Sequence, residues 1–508
     1  APYDRETDLT YWEEDPEAAV KALNTCYTYL GNMDEQLYCE AMTDNAYTKQ
    51  PNDATQNIGN GSYSTADPYV KKVWDGRYTG IRMCNELLEN IDRVPDLDPE
   101  LKKRYIGEAK VLRAYNYYEL YTKFGDVPYT TKVLSIKESM SIARTAKATV
   151  IANVLADLDE VINGNYLPTS YDADNKGRIT RWAAMAIKAK IYLFEGNWTQ
   201  VKNITSTIMT EGGFKLFGSY AGLFEIANEY NSEVILDAQY RPTSREHQMM
   251  YVFLPPTLGG YSQLSPLQEL VDSYIMLDGK TIKETGTSFD ESHPYANRDP
   301  RLKATVMYTG NSYTLADGTE VVINCEKGEG KDGYGVGSDC SATGYYIKKY
   351  WDNAYRATLY SGLNPILIRY ADILLMNAEA LAELGELDKT AWDATIKPIR
   401  DRAGFTLASA VEFPEGASKD KLIEIVRNER RSELALEGHR HKDIIRWRIA
   451  DDVLNGWCHG LKTNDVVGTD DGYVRVENRT FNANKHYLWP IPQAERDLNG
   501  NLEQNPNW

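Results

Sequence analysis

The sequence predicts a mainly α-helical fold that scaffolds an irregular, loop-rich part with short β-strands. Eight segments place apolar residues at helical spacing, and several of them end in glycine, which readily terminates a helix. These segments are 15–31, 68–92, 99–124, 149–163, 180–194, 366–384, 390–403 and 419–436. Two long stretches lack this periodicity and are rich in turn-forming residues, so we expect irregular structure there.

Two of the predicted helices share a further pattern. Residues 189–198 (AKIYLFEGNW) and 378–387 (AEALAELGEL) combine small and apolar residues at helical spacing, then a glycine, then the start of a second helix. Small residues let paired helices approach closely, as they do in tetratricopeptide repeats. The sequence therefore predicts tetratricopeptide-like helix pairs, in repeats that are degenerate and widely interrupted.

The 508 residues are interpreted as a single body, because an array of helix pairs can absorb this length. The predicted helical scaffold comprises 10–43, 68–235 and 365–450; the loop-rich ligand lobe comprises 44–67 and 239–364; and the C-terminal tail is 451–508. The first lobe stretch is rich in Asn, Gly, Ser and Thr, and the second mixes short β-like runs with Gly/Pro turns. Long irregular insertions usually carry function, so we expect binding in this lobe.

Residues 427–447 (RNERRSELALEGHRHKDIIRW) concentrate charge in a helix-compatible run that breaks at Gly438. Three glutamates recur at a spacing of four, with arginines at neighbouring positions. This spacing predicts a helix with ion pairs across its successive turns. We assign the segment to the scaffold and not to the ligand site.

The charge balance excludes a nucleic-acid partner. Formal net charge is −18 and the pI is about 5.0, so no basic surplus exists to neutralise phosphates. The same balance fits capture of neutral sugars better than capture of polyanions. No apolar run approaches the roughly 18 residues that span a bilayer, and no signal-peptide pattern begins at Ala1, so we expect the chain as given to be soluble.

Six cysteines are too few and too scattered for a disulfide scaffold. Cys26 with Cys39, and Cys325 with Cys340, are two pairs that the spacing permits, and unpaired buried thiols fit it equally well. The 36 tyrosines outnumber the 10 phenylalanines and 10 tryptophans. Tyrosine rings suit partly solvated surfaces such as a sugar-binding platform, where the ring face is apolar and the hydroxyl forms hydrogen bonds. We nevertheless expect most of the tyrosines to be core residues.

No motif points to a cofactor, a metal or a catalytic residue. Gly328, Gly330 and Gly333 match a dinucleotide fingerprint but precede no helix start, so a loop is expected. His439, His441 and Asp443 suit an ion-paired turn better than a metal cluster. No nucleophile elbow, zinc helix or phosphate loop is present. We expect no enzyme, and a glycosidase that uses a carboxylate pair among the 74 acidic residues is the alternative.

For a glycan binder, the requirement is aromatic faces flanked by side chains that hydrogen-bond hydroxyl groups. Aromatic, amide and arginine side chains of the two loop stretches and their flanks meet it. The predicted ligand-binding residues are Tyr47, Asn57, Asn60, Tyr63, Trp74, Arg241, Tyr251, Tyr261, Tyr295 and Trp351. Trp74 is expected to be packed rather than exposed, because it lies on a predicted helix, whereas Tyr47, Tyr63 and Tyr261 lie in Gly/Asn-rich loops.

Four separated segments resemble the SusD/RagB family of outer-membrane nutrient-binding lipoproteins. The residues that match its Glu-Arg-Arg-x-Glu-Leu-x-x-Glu-Gly-x-Arg signature and the following Asp and Arg-Trp are Glu429, Arg430, Arg431, Glu433, Leu434, Glu437, Gly438, Arg440, Asp443, Arg446 and Trp447. Residues 107–128 contain Gly-Glu-Ala, Leu-Arg-Ala and Phe-Gly-Asp-x-Pro elements, and residues 297–302 and 488–505 resemble further family landmarks. The resemblance runs from about the first helix to the last residue.

The resemblance implies a cell-surface protein that captures a glycan and delivers it to a SusC-like TonB-dependent transporter in the outer membrane. It implies a position on the extracellular face, held by a lipid on a cysteine upstream of Ala1, with no bond made or broken. It also leaves two alternatives. One is peptide uptake, as in RagB-type relatives, and the other is a glycoside hydrolase.

Overall fold

The computed structural model describes residues 8–49 and 54–508 and confirms a mainly helical fold with short strands. The helices of this part of the chain begin at residues with clear start signals: Asp67 and Asp98 cap two helices whose first residue is proline. The α-helices are α1 (Asp8–Glu14), α2 (Ala18–Tyr27), α3 (Met33–Tyr38), α4 (Ala54–Asn60), α5 (Pro68–Asn90), α6 (Pro99–Phe124), α7 (Ile136–Ser139), α8 (Lys147–Asn163), α9 (Arg181–Phe194), α10 (Trp198–Glu211), α11 (Met249–Phe253), α12 (Gln268–Ser273), α13 (Pro300–Thr305), α14 (Tyr370–Leu384), α15 (Lys389–Ala403), α16 (Ala408–Val411), α17 (Lys419–Glu433), α18 (Arg440–Arg446), α19 (Ala450–Val453) and α20 (Gln493–Leu498).

The strands are short and pair antiparallel in small sheets. They are β1 (Ala46–Thr48), β2 (Val234–Asp237), β3 (Leu264–Pro266), β4 (Val306–Met307), β5 (Ser312–Thr314), β6 (Glu320–Val322), β7 (Tyr346–Ile347), β8 (Ile366–Arg369), β9 (Gly456–Lys462), β10 (Thr469–Asp470) and β11 (Tyr473–Arg479). The pairs are β1–β3, β2–β8, β4–β7 and β5–β6, and the order β10–β11–β9 forms a three-stranded sheet.

Backbone contacts divide the chain into two compact units. Of the described residues, unit 1 comprises those within 1–31, 63–194 and 482–508, and unit 2 comprises those within 32–62 and 195–481. The predicted C-terminal tail therefore contributes to both units, because 451–481 belongs to unit 2 and 482–508 to unit 1. All the strands named above lie in unit 2.

Unit 1 is built around α6, which packs against α2, α5, α8 and α9 and is buried along most of its length. The helix ends at Gly125, whose φ of 72° is a backbone conformation that favours glycine. The C-terminal segment closes this end of α6. The backbone N–H of Trp489 donates to the carbonyl of Lys123 at 2.7 Å, and Asn505 donates to the carbonyl of Phe124 at 2.8 Å.

Unit 2 combines a helical layer with the strands. α14 packs against α10, α15 and α17 over a core that includes Leu375 and Trp392. The helix predicted over 366–384 begins four residues later than expected, at Tyr370, because residues 366–369 (ILIR) form β8 and pair with β2. Alternation of β-branched and other residues after Pro365 favours a strand here, and the pairing partner is distant in sequence.

The charged segment 427–447 differs from its prediction. α17 ends at Glu433, and the three glutamates of the segment bind basic side chains from other segments instead of pairing within one helix. Glu429 binds Arg301 and Arg400, Glu433 binds Arg301, Arg369 and Arg402, and Glu437 binds Arg369 and Lys349. These groups are buried, and a buried charge requires partners that reach it from several sides. Asp443 with Arg446 is an ion pair within one helix of this segment.

The glutamates of this network stay ionised. Burial alone would raise the pKa of Glu433, but the surrounding guanidinium groups of Arg402, Arg369 and Arg301 hold it below its ordinary value. The network thereby fixes α17 to β8 and to α13 through charged hydrogen bonds. The ion-pair network lies buried inside unit 2, where it supports the fold.

Two further features bear on the sequence predictions. All six cysteines lie within the described residues, and none of them forms a disulfide there. Across residues 8–49 and 54–508, no helix combines the length and apolarity that crossing a membrane requires.

Candidate functional site

A large open cleft lies in unit 2, with a volume of about 1070 Å³. Its walls come from segments that are distant in sequence: the loops 291–296 and 325–329, the ends of β4 and β9, the residues before β7, and the first residue of β11. The aromatic and polar residues that line it include Gln268, Glu291, Tyr295, Tyr308, Lys327, Tyr345, Lys462, Asp465 and Tyr473. Concave sites of this kind, with aromatic walls and a few polar groups, are the usual places for ligands.

The floor of the cleft is a cluster of tyrosines. The rings of Tyr295 and Tyr308 are stacked, with centroids 4.0 Å apart and planes 18° from parallel. The Tyr345 ring meets Tyr295 edge-on, and their hydroxyl oxygens are 3.2 Å apart. Tyr345 is buried and donates to the amide oxygen of Gln268 at 2.5 Å, while Tyr295 and Tyr308 are half-buried.

Strand pairing explains why these rings meet. Met307 of β4 lies opposite Tyr346 of β7 in an antiparallel pair. The same register therefore brings the next residue after β4, Tyr308, opposite the residue before β7, Tyr345. Tyr295 is held by its neighbour Arg298, whose guanidinium donates to the carbonyl of Pro294 at 2.8 Å. Burial raises the pKa of Tyr295 and of Tyr345, so their hydroxyls remain protonated and can donate hydrogen bonds.

Two ion pairs cross the rim of the cleft. Lys462 at the end of β9 lies 2.9 Å from a carboxylate oxygen of Glu291, and its ammonium also lies 5.3 Å from the centre of the Tyr473 ring. Lys327 pairs with Asp465 of the loop that follows β9. All four charged ends are solvent-accessible, so each pair contributes little to stability, and all four residues line the cleft.

The wall formed by β9 is anchored by His459. Its Nδ1 lies 2.8 Å from Glu269 of α12 and its Nε2 lies 3.0 Å from Asp470 of β10. The hydrogen bond to Glu269, assisted by the one to Asp470, raises the pKa of His459 above its ordinary value. Its protonated form therefore links two carboxylates and holds the three-stranded sheet against α12.

A second aromatic surface is more open. The rings of Tyr251 and Tyr261 meet edge to face with centroids 4.1 Å apart, and their hydroxyls are in contact. Tyr261 and nearby Tyr360 are exposed. We call Tyr251, Tyr261 and Tyr360 the aromatic patch. Both tyrosines of the contacting pair are predicted ligand-binding residues, and Tyr261 lies exposed at the surface while Tyr251 is half-buried.

The structure places three more predicted residues near β1 and β11. The hydroxyl of Tyr47 accepts a hydrogen bond from Gln56 at 3.2 Å, and burial, with Glu477 nearby, raises its pKa to about 12. Asn60 donates to Glu477 at 3.2 Å, and the backbone carbonyl of Asn57 accepts from Ser62 at 2.9 Å. Tyr47 therefore lies in a strand and not in the loop that the sequence predicted, and Asn57 and Asn60 lie in α4. The hydrogen bonds of Gln56 and Asn60 join α4 to β1 and β11.

Four predicted residues lie elsewhere. In unit 1, Tyr63 is 5% exposed between His486 and Trp508, and Trp74 is 4% exposed against Phe124, so neither offers a ring face to a ligand. In unit 2, Arg241 lies in an exposed turn. Trp351 is half-buried, and its indole N–H donates to the carbonyl of Thr314 at 3.2 Å. Of the ten predicted residues, Tyr295 lines the cleft.

Sequence reasoning missed Tyr308, Tyr473, Lys462 and Gln268. Tyr473 and Lys462 belong to the predicted C-terminal tail. The alternation of residues 473–479 (YVRVENR) after an Asp-Gly turn is the local signal that indicates a strand there. Within the described part of the chain, no cluster of His, Cys, Asp and Glu is arranged to hold a metal ion. The Gly328–Gly333 segment is a loop.

Comparison with known proteins places this architecture in a family. A model of the SusD family matches residues 223–508, more than half of the chain, and a model described as starch-binding and associating with outer membrane matches residues 17–193. SusD-like protein P25 of Formosa agariphila is 28% identical over 495 residues, which cover 87% of this chain and 88% of that protein.

Solved structures agree with the sequence matches. A SusD-like carbohydrate binding protein from Bacteroides fragilis is 28% identical, with a TM-score of 0.85 over 97% of this chain and 100% of that one. Another SusD-like protein from the same organism has a TM-score of 0.84 at 28% identity and covers 100% of both chains. These matches confirm the resemblance found in the sequence, and the chain belongs to the SusD/RagB family.

Proposed function

We propose that this chain captures a glycan at the cell surface and holds it in the cleft of unit 2. The observation that carries the proposal is the stacked pair of Tyr295 and Tyr308 on the floor of a cleft of about 1070 Å³, beside hydroxyl, amide and charged groups. Pyranose rings present C–H faces to aromatic rings and hydroxyls to polar groups. Each aromatic contact contributes about 0.5 to 1.5 kcal/mol, so several contacts must act together to retain an oligosaccharide.

The same groups suit binding without bond cleavage. Glu291 and Asp465, two of the carboxylates that line the cleft, are each paired with a lysine, and paired carboxylates are better suited to hydrogen-bonding a hydroxyl than to protonating a leaving group. The relative from Bacteroides fragilis is named as a carbohydrate binding protein, which supports the same reading. A glycoside hydrolase remains the alternative that a product assay excludes.

Delivery to a transporter is the second part of the proposal. We infer that the chain presents its glycan to a SusC-like TonB-dependent transporter and is held at the extracellular face of the outer membrane by an N-terminal lipid. The family model that describes outer-membrane association supports this inference. Purification of the tagged chain from outer membranes tests it, since the transporter should co-purify and a chain that elutes alone contradicts it.

The binding proposal is tested by native electrophoresis through gels that contain single polysaccharides, with a reducing-sugar assay on the same samples. Retardation by a polysaccharide without sugar release is expected. Tyr308→Ala should strongly reduce the retardation, whereas Tyr230→Ala, at an exposed tyrosine of unit 2 outside the cleft, should keep it. No retardation by any polysaccharide contradicts the proposal. Release of reducing sugar would show that the protein is a glycoside hydrolase and not only a binding protein.

A competition experiment distinguishes glycan capture from peptide uptake. If the cleft binds a glycan, an excess of mixed peptides leaves the retardation unchanged, because stacking and hydroxyl contacts are not shared by a peptide backbone. Displacement of the polysaccharide by peptides would favour the RagB-type alternative.

A further inference from the structure

The cleft has an unbalanced charge. Its charged lining residues are Glu291, Lys327, Glu326, Glu329, Lys462 and Asp465. Four carboxylates against two lysines leave a surplus of two negative charges, and both lysines already bind a carboxylate. The cleft also contains His293, which is bonded at 2.8 Å to Asp290 and so brings no surplus positive charge when it is protonated.

The surplus comes from one loop. Glu326 and Glu329 are exposed and form no ion pair with any residue that the structure describes, whereas Glu291 and Asp465 are offset by their lysines. An anionic ligand that paired with Lys462 or Lys327 would displace the carboxylate that this lysine now binds. The ligand would then be attracted by the lysine and repelled by the displaced carboxylate in the same cleft. No rearrangement of these pairs yields a site with net positive charge.

The groups behind the floor do not change this balance. The guanidinium of Arg298 is buried and donates to the carbonyls of Val271, Tyr274 and Pro294, so its donors face the backbone and not the cleft. The nearby Asp272, which accepts from Gln268 at 2.7 Å, opposes its charge. A ligand therefore meets tyrosine hydroxyls, an amide and an excess of carboxylates.

We propose that the cleft selects uncharged glycans and discriminates against chains that carry carboxylate or sulfate groups. The inference rests on the proposed function and names the substrate class of the same site. Hydroxyl groups of a neutral sugar can donate to the carboxylates, whereas an acidic sugar would place like charges within a few ångströms of them. At low ionic strength the expected discrimination is roughly fivefold to tenfold in Kd, and it decreases as salt screens the surplus charge.

The test compares ligands that differ only in charge. Xylan, galactomannan and β-glucan are each used unsubstituted, hydroxyethylated and carboxymethylated to the same degree, and binding to the full chain is measured by affinity electrophoresis at about 20 mM ionic strength. The hydroxyethyl form controls for the bulk of the substituent. We expect the backbone that binds to retard the protein in its neutral forms, and its carboxymethyl form to bind at least about fivefold more weakly.

Two variants assign the effect to the cleft. Glu326→Gln with Glu329→Gln removes the unpaired carboxylates and leaves both ion pairs, so the discrimination should fall to less than about twofold. Glu211→Gln with Glu415→Gln, at two exposed positions outside the cleft, changes the net charge equally and should keep it.

The outcomes are distinct. Carboxymethyl binding equal to or tighter than hydroxyethyl binding overturns the inference and leaves the proposed function standing. Discrimination that persists in the Glu326/Glu329 variant also overturns it, because the cleft charge is then not the cause. Absence of binding to any of the three neutral backbones and their derivatives overturns the proposed function, and the inference with it.

Discussion

At the scale of single residues, Tyr308 carries the sharpest prediction. Its ring stacks on Tyr295 and lines the cleft, whereas Tyr261 belongs to the exposed aromatic patch. Tyr308→Ala should weaken glycan binding at least about tenfold, equivalent to about 1.4 kcal/mol, because it removes a ring contact and opens the stack. Tyr308→Phe keeps the ring and should cost about twofold to fivefold through the lost hydroxyl. Isothermal titration with an oligosaccharide measures both effects.

Tyr261→Ala is the matched comparison in the same titration. A change of less than about twofold is expected if the cleft is the site, since that variant removes a tyrosine of similar size from the patch. The opposite pattern, with Tyr261→Ala severe and Tyr308→Ala mild, would move the binding site to the aromatic patch.

His459 makes stability depend on pH in a defined direction. Its pKa is raised in the folded chain by the hydrogen bonds to Glu269 and Asp470, so the folded state binds the proton more tightly than the unfolded state. The resulting stabilisation is complete below the ordinary histidine pKa of about 6.5 and is lost as pH rises through the higher folded value. His459→Gln should therefore cost about 1 kcal/mol at pH 5.5 and much less at pH 9, since partial exposure screens the charged bonds.

Urea denaturation of the native chain and of His459→Gln at the two pH values tests this, because all other titrating groups cancel in the difference. An NMR titration of the imidazole gives the folded pKa directly. A destabilisation that is equal at both pH values, or greater at pH 9, would contradict the prediction.

At the scale of elements, buried charges join α17 to β8. Arg369 donates to Glu233 at 2.7 Å, to Glu433 at 2.6 Å and to Glu437 at 2.7 Å, and all four side chains are buried. Arg369→Leu would leave three carboxylates without this partner, and breaking one buried pair already costs about 3 to 5 kcal/mol. We expect a loss of at least that size in the free energy of unfolding.

Lys389→Leu is the control for this variant. Lys389 forms an exposed pair with Asp393 at 2.6 Å, four residues along α15, and exposed pairs of this kind contribute little to stability. Denaturation followed by tryptophan fluorescence compares the two. A loss below about 1 kcal/mol for Arg369→Leu would show that the network does not stabilise unit 2.

A close approach between β9 and the segment before β7 depends on glycine. At Gly344 the φ angle is 78°, and an added Cβ would lie 1.5 Å from a methyl carbon of Leu461. Gly344→Ala should destabilise the chain by about 2 to 4 kcal/mol, through the clash and the left-handed backbone. Gly318→Ala is the control for the backbone effect alone. Gly318 has a φ of 83°, but no atom lies near the added Cβ, so its loss of stability comes from the left-handed backbone without a clash.

Adding Leu461→Ala to Gly344→Ala relieves the clash, so the double variant should lose less stability than the sum of the two single changes. Thermal unfolding of the four proteins measures this coupling. Strict additivity would mean that the two positions do not compete for space.

At the scale of the whole molecule, local signals determined how much could be predicted. The helix starts at Asp67-Pro68 and Asp98-Pro99 are encoded by neighbouring residues, and the helices there begin as predicted. The cleft depends on pairings across long separations, such as Met307 with Tyr346, and no local pattern specifies them. The composition of its loop predicts Tyr295 as a binding residue, whereas no local pattern predicts Tyr308. The charged motif was recognised, but its partners, such as Arg369, lie far away in sequence.

The net charge of −18 gives the last prediction, which separates the two classes of ligand. A neutral glycan displaces few counterions, so its Kd should change less than about twofold between 50 and 500 mM NaCl. A peptide would be drawn to this acidic chain chiefly through its lysines and arginines, and its affinity would fall steeply over the same range. Titrating the bound oligosaccharide at both salt concentrations measures the slope, with a basic peptide as the comparison. A steep salt dependence for the ligand that the cleft prefers would show that charge, and not stacking on tyrosine, dominates its recognition.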